Sequence, residues 1–249
     1  MQTTRAEVPG WAATGAGFSR GKTGWPYESG VSAENLLCRF VSGAARQGYS
    51  SEAAEFKGGS VNPAVATKRR VFARLSIFAG NALQIGGLLA AGLALEVSRS
   101  VHSTATAVTA MVLAWVLFYF FSHAIAHWLV GRVLSICFLF YTVGGTGSPE
   151  SWPPGLRWVF EHLPFLGVHT EKLSMQAARP VARALMWSAG VTSSAVFPTL
   201  AAFWAWHNGV PGSGWFCLFA LFWGLGTLAS NWRSRTGDYS KARRALSDS

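Results

Sequence analysis

Long apolar stretches constrain the fold of this chain more than any other feature of its sequence. Four of them, at about residues 75–96, 105–130, 181–206 and 212–230, are rich in aliphatic and aromatic residues and poor in charge. A helix needs roughly 20 apolar residues to cross a bilayer core of about 30 Å. Only 13% of the 249 residues are charged, whereas soluble domains average about 25%. The sequence therefore predicts an all-α integral membrane protein, built as a four-helix transmembrane bundle.

The regions outside these stretches divide the chain further. Residues 1–70 are rich in Gly, Ser, Ala and Thr and show little apolar periodicity, which predicts a disordered cytoplasmic tail. Residues 71–246 would then form the polytopic membrane domain. Within it, the apolar stretch 133–143 is too short to span as a helix. An interfacial or re-entrant segment and an extended strand at the membrane edge are both open interpretations of this stretch.

The basic residues predict the orientation in the membrane. The net charge is +10, but no nucleic-acid-binding motif accompanies it, so we expect no nucleic acid partner. With four spans, nearly all Lys and Arg lie on the side of the two tails and the 131–180 loop, and only Arg99 clearly lies opposite. The positive-inside rule then places both termini in the cytoplasm, without identifying the organelle. The expected partners are the lipid bilayer, anionic lipid headgroups at the basic tails and a membrane protein.

A pair of histidines near the end of the second span is the candidate site. His123 and His127 are four residues apart, which places both imidazoles on one helix face, one turn apart. Zincin helices present two nitrogens to one zinc ion with this spacing. Ionisable groups within membrane spans are also functional candidates by default. The alternative is that both rings are packed and hydrogen-bonded without a metal.

Other metal-ligating residue types give weaker signals. His162 and His169 lie in the predicted cytoplasmic loop, where they could complete a four-nitrogen site with the histidine pair. The chain has three cysteines, Cys38, Cys137 and Cys217. Their odd number and scattered positions argue against a disulfide framework and against a cysteine-based zinc site. We therefore expect the cysteines to be buried small residues.

Further motifs accompany the histidine pair over residues 105–246. The run that begins at His123 and His127 continues to Gly144-Gly145. Ala189-Gly190 lies inside the third span, and Asn231 is followed by Gly237-Asp238 at the end of the fourth. Together these motifs resemble the site-2 protease family of intramembrane zinc metalloproteases. That family has a His-Glu-x-x-His helix, a short Gly-containing strand region, an Ala-Gly-Pro helix, and Asn-x-x-Pro and Asp-Gly motifs.

The resemblance implies a set of metal ligands but not the family's hydrolytic activity. It assigns His123, His127 and Asp238 as ligands of zinc or another divalent metal. Ala124 occupies the position of the family's glutamate, which is the general base. Loss of a positioned general base typically costs about 10²–10⁴ in rate. Standard zinc protease activity is therefore not expected, and no catalytic residue is assigned. Asp238 also has an alternative interpretation, as a solvated tail carboxylate paired with neighbouring basic residues.

Three functions are consistent with these features. The first is a site-2 protease-like pseudoenzyme that binds a metal and acts as an accessory or regulatory factor. The second is a metal-dependent membrane enzyme of another reaction class, so whether the chain is an enzyme stays open. The third is a structural subunit of a membrane complex with no metal. A transporter is disfavoured because the spans contain no paired charges and no inverted repeat.

Overall fold

Four long helices account for most of the structure. The computed structural model describes residues 71–145, Trp158 and residues 162–247, so the predicted tail at 1–70 lies outside the described residues. The long helices are α1 (Ile77–Ser100), α2 (Thr104–Val133), α4 (Pro180–His207) and α5 (Ser213–Arg233). The shorter α3 (Lys172–Ala177) and α6 (Asp238–Ser247) precede α4 and follow α5. Each long helix coincides closely with one of the four predicted apolar stretches.

Over its most apolar stretch, helix α4 is less apolar than the other three long helices. Helices α1, α2 and α5 are long and apolar enough to cross a membrane. The composition thus identifies three spans rather than the four predicted. Helix α4 is 28 residues long, but polar residues interrupt its apolar sequence, and its buried positions include Gly190, Ser193 and Ser194. Small and weakly polar residues are typical of a helix surface that packs against other helices.

Helices α2 and α4 pack in opposite directions. The hydroxyl of Ser194 in α4 donates to the Tyr119 carbonyl in α2 at 3.2 Å. Eight residues further along α2, His127 contacts the carbonyl of Met186, which lies eight residues earlier in α4. Residue numbers therefore rise along one helix as they fall along the other, so the last part of α2 lies beside the first part of α4.

Helices α4 and α5 are also antiparallel. The Thr199 hydroxyl of α4 lies 3.4 Å from the Ala220 carbonyl of α5. Gly224, one turn further along α5, faces Ala195, one turn earlier in α4. Helix α4 therefore lies between α2 and α5, and its first half shares one end of the bundle with the last turns of both neighbours.

A three-stranded antiparallel sheet, which was not predicted, accompanies the helices of this mostly helical protein. Its strands are β1 (Val71–Leu75), β2 (Phe138–Gly144) and β3 (Phe165–Thr170), in the order β1-β2-β3. For the stretch 133–143, the structure confirms the extended interpretation from Phe138 onward. Aromatic and β-branched residues favour a strand in this segment. The two strands that pair with it come from distant parts of the chain, so local periodicity could not reveal the sheet.

One buried tyrosine fixes this sheet to the start of α1. Tyr141 of β2 is fully buried, and its hydroxyl donates to Asn81 Oδ1 at 2.7 Å. Gly80 lies against the tyrosine ring, and a Cβ at this position would overlap the ring. The sheet is therefore held at the end of the bundle where α1 begins and α2 ends.

The cysteines agree with the sequence prediction only in part. Cys217 is free and buried within α5, as expected of a small apolar residue. Cys137, which directly precedes β2, is disulfide-bonded. The prediction of buried thiols alone is therefore wrong at Cys137, because spacing along the chain does not report which distant cysteines meet.

Candidate metal centre

Three residues from two helices meet at this end of the bundle. His123 and His127 lie one turn apart on α2 with their ring centroids 4.9 Å apart. Asp238 is the first residue of α6. One ligand atom from each of these residues lies within 4.8 Å of the others. The structure thus brings together the three residues predicted as metal ligands. The side chain of Asp238 is only 13% exposed, which does not fit a solvated tail carboxylate.

Two distances at the centre are close to those between ligands of one zinc ion. His123 Nε2 and His127 Nε2 each lie 3.4 Å from the same oxygen, Asp238 Oδ2. Hydrogen bonds from N–H to O typically span about 2.7–3.2 Å. Two ligand atoms at about 2.05 Å from a tetrahedral zinc ion lie roughly 3.3 Å apart. Both contacts are therefore long for hydrogen bonds and close to the spacing of two zinc ligands.

The partner of His127 fixes which of its nitrogens carries the proton. Its Nδ1 lies 2.6 Å from the Met186 carbonyl oxygen of α4. A carbonyl can only accept, so Nδ1 carries a proton and donates it. In the neutral ring, Nε2 then has a lone pair, which points at Asp238. Gly190 makes room for this ring, because a Cβ there would overlap the imidazole.

His123 is oriented in the same way by a serine. Its Nδ1 lies 3.1 Å from Ser194 Oγ. That hydroxyl donates its single proton to the Tyr119 carbonyl, so Oγ accepts a hydrogen bond from the Nδ1–H of His123. His123 Nε2 therefore also directs a lone pair toward Asp238 Oδ2. Both histidines thus present an unprotonated Nε2 to the carboxylate.

Three lone-pair atoms that converge on one point repel one another unless a cation lies between them. Protonation of both Nε2 atoms would remove the repulsion between imidazole and carboxylate. It would also place two imidazolium rings and the ammonium of Lys241 around the single carboxylate of Asp238. One divalent ion could accept a lone pair from both Nε2 atoms and from Asp238 Oδ2, and the two imidazole rings would then stay neutral. Metal-ligating histidines commonly donate their other N–H to a carbonyl or a similar acceptor, as both rings do here.

The second oxygen of Asp238 is held by a lysine. Lys241 Nζ donates to Asp238 Oδ1 at 2.9 Å and lies 4.3 Å from the centre of the Trp187 ring. Burial alone would raise the pKa of the Asp238 carboxyl. The ion pair with Lys241 favours the charged carboxylate and lowers that pKa. Asp238 is therefore ionised, with Oδ2 directed at the histidines.

Asn231 and Gly237 place Asp238 at the start of α6. The Tyr239 N–H donates to Asn231 Oδ1 at 2.9 Å, which ties the first turn of α6 to the end of α5. Gly237 lies close to the same asparagine, and a Cβ there would come within 2.9 Å of its carbonyl oxygen. The two residues singled out by the resemblance thus position the carboxylate.

Several other candidate residues lie outside the centre. His169 Nε2 contacts the Thr142 hydroxyl of β2 at 3.2 Å, and His162 Nδ1 contacts the Trp158 carbonyl. Within residues 71–145 and 162–247, only His123, His127 and Asp238 form such a group, so the four-nitrogen alternative is wrong for His162 and His169. No second carboxylate joins the group in these ranges either.

The residues that sequence reasoning missed are those that hold the ligands. The hydroxyl of Ser194 and the carbonyl of Met186 were not predicted, whereas the pairing of Asp238 with a neighbouring basic residue, here Lys241, was one of the two interpretations. The role of a backbone carbonyl cannot be read from residue type, because every residue has one. A serine within an apolar helix gives only a weak indication of a functional role. Gly190 was noticed through the resemblance alone.

Comparisons with protein-family models, with curated proteins and with solved structures find no match. The similarity to the site-2 proteases therefore rests on the motifs of this sequence. The geometry around His123, His127 and Asp238 is the remaining guide to function.

Proposed function

We propose that this polytopic membrane protein binds a divalent metal ion, zinc in the first place, through His123, His127 and Asp238. The observation that carries the proposal is the convergence of two unprotonated Nε2 atoms on one carboxylate oxygen. Two imidazoles and a carboxylate form a donor set that zinc commonly uses. Three protein ligands also leave a fourth position open, as in zinc sites that exchange a ligand.

The protein then acts as a metal-binding accessory or regulatory factor, a pseudoenzyme related in architecture to the site-2 proteases. Ala124 supports this assignment, because it stands where that family carries its general base and is 1% exposed. Among the described residues, no other carboxylate lies at the centre to replace it. The site therefore holds the elements of metal binding without those of peptide hydrolysis.

We further propose that α4 is the fourth span and that both termini are cytoplasmic. The packing of α4 supports its assignment as a span. The helix is antiparallel to α2 and to α5 and lies between them, so it runs through the bundle alongside two helices that are apolar enough to cross the membrane. Of the described lysines and arginines, only Arg99 belongs to the end of the bundle opposite the site. The positive-inside rule then places the site end on the cytoplasmic side. Basic residues there would contact anionic lipid headgroups.

A metal measurement tests the proposal. The wild-type chain, purified in detergent and exposed to zinc, is expected to hold about one ion per chain, measured by mass spectrometry. The double variant His123→Ala, His127→Ala is expected to lose it. The matched control, His102→Ala with His207→Ala, removes two exposed histidines from the opposite end of the bundle. Equal metal in all three proteins, or none in any, would mean that the histidines are merely packed.

Hydrolysis is tested separately. The wild-type protein is expected not to cleave membrane-spanning peptides. The variant Ala124→Glu supplies a carboxylate at the position of the family's general base, so a gain of metal-dependent cleavage would support the resemblance. Cleavage by the wild-type protein that disappears in His123→Ala would contradict a non-proteolytic role.

A further inference from the structure

The C-terminal helix α6 has little to hold it in place by itself. It has 10 residues, and isolated helices shorter than about 12–15 residues are marginal in water. Its buried apolar contacts come from Ala242 and Ala245, which pack against Ala184 of α4 beside Trp187. Alanine side chains are small, so this contact removes little apolar surface from water.

The remaining contacts of α6 with the bundle are polar or aromatic. Tyr239 shares a hydrogen bond with Thr192 of α4 at 3.0 Å. Lys241 lies over the ring of Trp187. Toward α2, the contact of α6 is made by Asp238 at the histidine pair. Without an ion, that contact consists of two distances too long for good hydrogen bonds.

We infer that the metal is the clamp that docks α6 onto the bundle. The inference rests on the proposed metal site and adds a regulatory consequence to it. An ion bound to His123, His127 and Asp238 joins α6 to α2 through coordinate bonds. Loss of the ion leaves α6 held by its alanine contact and by polar contacts, among them the Tyr239 N–H to Asn231 and Arg243 to the Trp232 carbonyl of α5. The helix then undocks, together with its exposed basic residues Arg243 and Arg244.

Thermodynamic linkage makes this clamp measurable. If opening of α6 withdraws Asp238, the ion binds the docked form more tightly than the open form. An ion that binds only the docked form suppresses opening by a factor of 1 + [M]/Kd, which is about 100 at a hundred-fold excess over Kd. The coupling is reciprocal, so a change that undocks α6 must weaken metal binding by the factor by which it lowers the docked fraction of the metal-free protein.

Hydrogen–deuterium exchange of the full-length protein in detergent tests the first half of the coupling. With zinc at a hundred-fold excess over Kd, the amides of residues 241–247 are expected to exchange up to about 100-fold more slowly than with a chelator. The amides of α1 are expected to be unchanged. The metal content of the same samples is measured in parallel. A full complement of zinc with unchanged exchange in α6 would overturn the clamp while leaving the metal site intact. Failure to hold zinc would remove the metal site and the clamp together.

A pair of phenylalanine variants tests the second half. Ala245→Phe adds bulk to the face of α6 that packs on α4, and Leu246→Phe changes a neighbouring side chain that is 47% exposed. Neither substitution introduces a ligand. Ala245→Phe is expected to speed exchange in α6 and to weaken zinc binding by about 10-fold or more, whereas Leu246→Phe is expected to do neither. Ala242→Phe gives a second undocking variant. Faster exchange in α6 at undiminished zinc affinity, in either undocking variant, would overturn the coupling.

Discussion

At the scale of single residues, the geometry of the candidate metal centre depends on groups outside the three proposed ligands. The spacing of His123 and His127 places two imidazoles on one face, but an imidazole can present either nitrogen. The Met186 carbonyl and the Ser194 hydroxyl decide this, because each accepts the Nδ1–H of one ring. The carbonyl belongs to the backbone and cannot be removed by substitution. The hydroxyl can be removed, so a substitution of Ser194 tests this role.

Ser194→Ala is expected to weaken zinc binding by about 10–100-fold, the usual cost of losing a partner behind a metal-ligating histidine. The physical reason is that His123 loses the acceptor that fixes its proton and its ring orientation. Zinc affinity is measured by competition with a chromophoric chelator. Ser188→Ala removes an exposed hydroxyl that bonds only within α4 and is expected to leave the affinity unchanged. Equal affinities in the two variants would contradict the role assigned to Ser194.

Gly190→Ala is expected to abolish or strongly weaken metal binding. The added methyl group would overlap the ring of His127, and that ring cannot move without breaking its bond to Met186. Overpacking of this kind typically costs about 1–3 kcal/mol. Gly226→Ala in α5 is the control, because a Cβ there meets nothing within 4 Å. The test is the metal content of both purified variants. A full complement of metal in Gly190→Ala would show that the His127 ring can take another position and still bind the ion.

At the scale of secondary structure elements, the sequence predicted the positions of the helices better than their packing contacts. The positions of α1, α2, α4 and α5 followed from apolar length alone, because a span must satisfy its backbone internally. The polar character of α4 was underestimated, since its neighbours cover positions such as Ser193 that would otherwise face lipid. The β-sheet was missed because its pairing is not local. Asp238 was placed near the histidines only by the family resemblance, because no periodicity links a tail residue to a helix more than a hundred residues earlier.

The contact between α1 and β2 gives a prediction about packing. Gly80→Leu is expected to destabilise the protein, because its side chain would occupy the space of the buried Tyr141 ring. A cost of about 1–3 kcal/mol corresponds to a Tm lower by on the order of 5 °C for a domain of this size. Gly86→Leu makes the same change where a Cβ meets nothing within 4 Å. Thermal unfolding in detergent is expected to show a lower Tm for Gly80→Leu only, and matching Tm values would refute the close packing of this glycine.

At the scale of the whole molecule, the candidate metal centre and most of the described basic residues occupy the same end of the bundle. The start of α4, the end of α5 and all of α6 carry basic side chains, as does Arg132 at the end of α2. Anionic headgroups at a cytoplasmic surface attract such residues by about 1 kcal/mol each. In the proposed orientation the site end would lie at the level of the headgroups, where an ion could reach His123, whose side chain is 34% exposed.

Proteolysis of sealed vesicles tests this arrangement without altering the chain. In inverted vesicles, which expose the cytoplasmic face, trypsin is expected to cleave after Arg235, in the turn between α5 and α6. It is expected to spare Arg99, near the end of α1, until detergent opens the vesicles. The reason is that four spans place these two arginines on opposite sides, with the more basic side in the cytoplasm. Mass spectrometry of the fragments reports both sites in one sample. Cleavage at both sites in sealed vesicles would place Arg99 and Arg235 on the same side, and only three of the helices could then cross the membrane. Cleavage at Arg99 alone would keep the four spans and invert the protein, so that the metal centre would face away from the cytoplasm.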